Sequence, residues 1–156
     1  MAVISEELYS LIVPLETEQL IVPRSCVAEI VRYSLAEEST DDASWLRGTA
    51  NWNNRVIPVI SFERMCGIEA PVPGGRTRIV VFHPLGVSEV SEPYGLLAEG
   101  FPQMVRVNKE VVEADSDYEP PPNSPVICQV RLIQEHALIP DLEMIEQMLR
   151  EVATPA

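Results

Sequence analysis

The chain has 156 residues, 46% of them hydrophobic, with 24 acidic and 11 basic side chains and a net charge of −13. That length and apolar content suit one core-forming domain, expected over residues 8–152, and the negative charge repels phosphate backbones and anionic lipid, which argues against nucleic acid and direct membrane binding. The first ten residues hold Glu6 and Glu7 without a basic region, and no apolar run approaches the ~20 residues that cross a bilayer, so a cytoplasmic location is expected.

Short runs rich in Val and Ile, separated by polar or Pro/Gly punctuation, dominate the chain and predict a mainly β fold. Tyr9 to Leu15 and Gln19 to Val22 flank Glu16-Thr17-Glu18, a polar break that suits a hairpin. Pro23 ends the second strand because it has no amide to donate. Val27, Ile30 and Val31 then recur at the i, i+3, i+4 spacing, which predicts a turn or two of helix before the acidic loop Glu37 to Asp42.

Trp45 to Gly48 leads into a second hairpin, in which Asn53-Asn54 can take the left-handed conformations of a tight two-residue turn. Arg55 to Phe62 is the return strand, with Val56, Pro58, Ile60 and Phe62 on one face and Ile57, Val59 and Ser61 on the other. Pro58 places this strand at an edge or a bulge. Ala70 to Gly75 breaks the chain, and Arg78 to Phe82 and Tyr94 to Ala98 follow as strands joined by Pro84 to Pro93.

Gln103 to Val107 is a further strand. Glu113 to Pro125, with four acids and four prolines, predicts a mobile surface loop. Val126 to Ile133 returns to strand, with Val126, Cys128, Val130 and Leu132 on one face, and Ala137 to Ile139 closes the sheet. From Pro140 onward, Leu142, Ile145, Leu149 and Val152 alternate with Glu143, Glu146, Gln147 and Arg150, the pattern of a Pro-started amphipathic helix of about three turns.

Catalytic chemistry is poorly supplied. His83 and His136 lack convincing neighbours; the first reads as a strand end and the second as a turn. Cys26, Cys66 and Cys128 lie far apart in apolar stretches without CxxC spacing, as three buried thiols would. The carboxylates Glu37, Glu38, Asp41 and Asp42, and again Glu113, Asp115, Asp117 and Glu119, read as solvated loops that lack the Gly and closing Glu of a calcium site. Gly74-Gly75 has no following Lys-Ser/Thr, so no phosphate cradle is expected either. No catalytic residue, metal ligand or cofactor is predicted.

What remains is a surface. Trp45 and Trp52 are the two tryptophans, with Arg47 and Arg55 beside them, and Trp and Arg are the residue types most enriched in binding hot spots. Trp45 is expected in the core, and Trp52 is divided evenly between core and surface. Arg47 and Arg55 can meet a partner's carboxylates or the chain's own.

Four blocks in order carry a family resemblance. Leu11 to Val22 with Pro23 and Val27-Ala-Glu29-Ile30 form the first. Trp45-Leu46-Arg47-Gly48, Asn51 to Asn54 and Pro58 to Phe62 form the second, Gly95 to Phe101 the third, and Ala137 to Leu149 the last. Together they resemble the CheW-like family, whose members bridge chemoreceptors and a histidine kinase. The resemblance implies two small five-stranded β-barrels sharing a hydrophobic core, with a C-terminal helix. It also implies a non-enzymatic adaptor whose partners are the regulatory domain of a CheA-type kinase and the cytoplasmic tip of a methyl-accepting chemoreceptor. The implied docking face comprises Glu29, Ile30, Arg47, Gly48, Asn51, Trp52, Arg55 and Pro58.

The chain departs from the family pattern at two places. Trp52-Asn53-Asn54 stands where the family usually has Leu-Arg-Gly, the Arg belonging to its docking region, and Ser61 stands in place of a strand Asp. Such an acidic, divergent member is similar to the ChpC-type adaptors of pilus-associated chemosensory systems, which would link it to twitching motility. A small-ligand sensor with a pocket between the barrels is the alternative function.

Overall fold

The computed structural model describes residues 8–40, 43–85, 92–107, 112–132 and 135–153. The expectations placed on Glu6, Glu7, Asp41, Asp42 and Ile133, and on most of the Pro84-to-Pro93 connection, lie outside these residues.

The opening hairpin forms as expected: β1 (Leu8–Pro14) and β2 (Gln19–Pro23) pair antiparallel, and the Leu15 amide closes the turn on the Glu18 carbonyl at 2.8 Å. After one 3-10 turn at Arg24–Cys26, however, the predicted helix is a strand, β3 (Val27–Arg32). A bulge explains the misleading spacing. Val27 pairs with Phe82 and Glu29 with Val81, leaving one extra residue between them. Two residues on one face of the strand thereby stand three apart, as on a helix: Val27 and Ile30 pack against one apolar cluster, Ala28 and Val31 against another.

The two-residue β4 (Glu37–Glu38) precedes the second hairpin, β5 (Leu46–Trp52) and β6 (Arg55–Ile60). Strand β6 ends before Phe62, because Ser61 caps a short helix, α1 (Phe62–Met65), by accepting the Arg64 amide at 3.3 Å. Next come β7 (Arg78–Phe82), β8 (Tyr94–Ala98) and β9 (Gln103–Val107), with the predicted boundaries. Part of the supposed mobile loop is ordered as β10 (Glu113–Ala114), and Asp115 behind it accepts hydrogen bonds from Gln129 Nε2 at 2.9 Å and the Asp117 amide at 3.1 Å. These bonds hold its carboxyl below the usual range, so Asp115 is a loop anchor and not a freely solvated acid. Strands β11 (Val126–Arg131) and β12 (His136–Pro140) follow, which makes His136 a strand residue and not part of a turn.

The terminal helix α2 (Leu142–Ala153) starts on Asp141, whose Oδ1 accepts the Met144 amide at 3.1 Å, with Pro140 still in the strand. Its polar pattern hides one exception: Glu146, predicted solvent-facing, is buried, and its carboxylate accepts the Leu85 amide at 2.8 Å.

Among the described residues the strands form two six-stranded sheets, ordered β10-β11-β12-β2-β1-β9 and β3-β7-β8-β6-β5-β4. In each, five strands of five to seven residues are extended by one two-residue edge strand, β10 or β4, which is the difference from the five expected. The apolar side chains sort into three clusters. One is shared by both sheets and α2 and includes Leu11, Val13, Val80, Phe82, Leu96 and Ile145. The second lies inside the β3–β8 sheet around Ile57, Val59, Ile79 and Val81, and the third inside the other sheet around Ile12, Ile21, Val130 and Ala137. Strand β7 shows the logic: Ile79 and Val81 face its own sheet's interior, while Val80 and Phe82 face the shared core. A strand covered on both faces needs an unbroken apolar run, which is the pattern the sequence carries.

Candidate functional site

The residues singled out in the sequence fall on two strands of the second sheet. Asn53 and Asn54 take φ of 50° and 63°, the left-handed pair of a tight primed turn, and this fixes the β5–β6 register from Trp52↔Arg55 through Thr49↔Pro58. Gly48 sits beside a bulge at φ 151°, and a Cβ there would overlap the Glu37 carbonyl oxygen, so glycine is required for β4 to pair with β5.

Alternation then divides the hairpin. Asn51 and Pro58 leave one face together with Val56, which is 59% exposed and was not singled out from the sequence. Trp52 leaves the other face and packs half-buried on the interior cluster, while its indole N–H donates to Glu29 Oε1 at 3.3 Å. That bond joins the two edge regions of the sheet, β3 and β5, so the sheet curls around its interior and brings Glu29 to the hairpin. Ile30, by contrast, faces the shared core and stands apart from Glu29. Arg55, opposite Trp52, lies 4.0 Å from Glu92 in an exposed pair of little energetic weight. Arg47 Nη1 donates to the Ser44 carbonyl at 3.3 Å.

Pro58 marks neither an edge nor a bulge, since the irregularity of this hairpin lies in β5 between Leu46 and Gly48. Strand β6 lies between β5 and β8, and its ladder to β8 begins one residue later, at Val59↔Gly95, so the missing amide costs no sheet bond on that side. Trp45 packs partly buried against the shared cluster, as expected.

Behind Trp52 a cavity of about 260 Å³ is lined by Val31, Leu35, Ala50, Ile57 and Ile79. It lies inside the second sheet and not between the two sheets, where the shared cluster occupies the space. The cysteines are free and half-buried, less covered than expected; burial pushes the Cys66 thiol up to about 11, and burial also raises Cys26. Among the described residues no three His, Cys, Asp or Glu side chains are grouped to hold a metal ion, and no helix is long and apolar enough to cross a membrane.

This architecture and hairpin can be set against known proteins. The CheW-like domain profile matches residues 10–149, which takes in both sheets and most of α2. The chain belongs to the CheW-like domain family. No curated protein matches it in sequence. Among solved structures it is similar to the scaffolding protein TtCheW from Thermoanaerobacter tengcongensis, with a TM-score of 0.71 over 86% of this chain and 84% of that one at 17% identity, a likeness of fold.

Both departures from the CheW-like pattern have a local physical account. Ser61 caps α1, a task for which Asp and Ser are near-equivalent. Asn53-Asn54 keeps the tight turn without the usual Arg-Gly, because Asn tolerates positive φ. The hairpin tip thus presents two amides where the resemblance implies a cation.

Proposed function

We propose that this CheW-like chain is a non-enzymatic chemosensory adaptor that couples chemoreceptors to a CheA-type histidine kinase. Membership of the family over residues 10–149 carries the reading. On it, the β5–β6 hairpin is the main docking surface: Asn51, Pro58 and exposed Val56 offer one face, and Trp52, Arg55 and Glu29 form the rim at the turn. Gly48 and Arg47 act by fixing the bulge that sets the hairpin against β4. Ile30 belongs to a neighbouring surface on β3. The partners are the kinase regulatory domain and the receptor's cytoplasmic tip, so the adaptor works in the cytoplasm at membrane-associated arrays. As a divergent member with a net charge of −13 it is similar to the ChpC-type adaptors, and on that similarity the pathway proposed is the control of pilus-driven twitching motility.

Calorimetry of the full chain against the regulatory domain of its own organism's kinases tests this, with an ordinary CheW-like adaptor as competitor. Trp52→Ala should weaken binding by more than about 1 kcal/mol while the protein stays folded. No binding to any kinase domain or receptor tip would sink the adaptor reading. Binding without any change in twitching on gene deletion would sink the pilus assignment alone.

A further inference from the structure

A second feature of the same sheet is a pair of arginines on β3 and β7. Arg32 of β3 and Arg78 of β7 are direct cross-strand partners, so both side chains leave one face, that of Ile30 and Val80. Like charges directly opposite each other weaken a sheet. In a chain with 24 acidic and 11 basic side chains, a carboxylate opposite either arginine would be the stabilising choice. Yet among the described residues neither guanidinium has a carboxylate within ion-pair reach, whereas Arg55 and Arg131 do. Arg78 is also held in place, since Nη1 donates to the carbonyls of Gly75 at 2.9 Å and Thr77 at 3.0 Å. Arg76, two residues earlier, acts electrostatically on Glu99 instead.

We propose that Arg32 and Arg78 form a recognition site for an acidic protein segment, one that carries two carboxylates beside an apolar side chain. The two guanidiniums take the carboxylates, for which planar donor forks are suited. Ile30, two residues before Arg32 and on its face, packs on the shared cluster but stays partly exposed, and that exposed part offers the apolar contact. An extended polyanion such as nucleic acid is disfavoured, because beyond the pair it meets a surface of net charge −13. A short segment meets only the pair, since charges farther than about 8 Å are largely screened at physiological salt. Arg32 lines the same cavity as Asn51 and Trp52 of the hairpin, so the test reads the Arg32 and Arg78 side chains directly.

The test uses the full chain, labelled with nitrogen-15, and a blocked peptide of four glutamates around one leucine, with its glutamine analogue and inorganic phosphate at matched ionic strength. The glutamate peptide should shift the Arg32 and Arg78 side-chain Nε signals and the Ile30 amide, and the glutamine analogue should not. Arg32→Gln should reduce affinity at least tenfold with the Tm unchanged or raised. Arg32→Glu, which makes a cross-strand ion pair with Arg78, should abolish binding and raise the Tm. A lowered Tm in both variants would overturn the proposal by giving Arg32 a structural role. Equal binding of the glutamine analogue, absence of shifts at these residues, or equal shifts with phosphate alone would overturn it as well.

Discussion

Replacing Gly48 by alanine tests the link between one residue and the shape of the docking hairpin. At φ 151° a side chain is strained, and the new Cβ would overlap the Glu37 carbonyl and approach the Glu38 Cα at 3.1 Å. Both are backbone, so neither can swing aside as a side chain tip would. The conformational strain costs about 1–3 kcal/mol. Displacing β4 also loses the Glu37↔Thr49 and Glu38↔Gly48 pairing, at about 1 kcal/mol net per hydrogen bond. With one bond lost per pairing these give about 3–5 kcal/mol, or a fall in Tm of roughly 6–20 °C for a chain of this size. Gly67→Ala is the internal control, because Gly67 has φ 78° and no atom within 4 Å of the added Cβ, so it bears the backbone strain alone. Scanning calorimetry of both variants would separate the terms. If Gly48→Ala lost no more than Gly67→Ala, the overlap with β4 would be relieved without cost and the reasoning about the bulge would fail.

Other expectations follow from the same structure. Asn54→Val puts a β-branched residue at φ 63° and should destabilise by about 1–2 kcal/mol in chemical denaturation; an unchanged midpoint would mean that the turn can switch type. Asp141→Ala removes the α2 cap and should cost about 1 kcal/mol by the same assay, whereas no loss would show that the Asp141 carbonyl bond to the Ile145 amide suffices. Burial raises the Glu63 carboxyl above its ordinary range, with Glu99 and Glu16 adding repulsion. The folded state then binds the proton more tightly than the unfolded one, so this stability is fully present below the unfolded pKa and is lost as pH rises through the folded pKa. Glu63→Gln should therefore melt above the wild type at pH 7, with the advantage vanishing below about pH 4. A lower Tm at pH 7 would instead mean that the Glu16 amide bond to the charged carboxylate, 3.2 Å long, dominates.

Much of this protein is determined by local sequence. Strands β7 and β8 match their predicted bounds because apolar runs of this length, ended by Pro, Gly or polar residues, leave the backbone few other ways to bury both faces, whereas β9, largely exposed, is marked by alternation alone. The Asn53-Asn54 turn is likewise local, since φ is set by the residues themselves. Where packing decides, the sequence misleads. The bulge in β3 imitates helical spacing because an inserted residue changes which side chains share a face. Glu146 reads as solvent-facing until the Leu85 amide is brought against it from another part of the chain. Pro58 reads as an edge or a bulge until the offset of the β6–β8 ladder and the place of the bulge in β5 are known. Within the candidate site, the hairpin residues were legible, but the joining of Trp52 to Glu29 and the exposure of Val56 were not. Both depend on how far the sheet curls and where the covering layer stops. Those are properties of contacts distant in sequence, so only the tertiary structure could decide them.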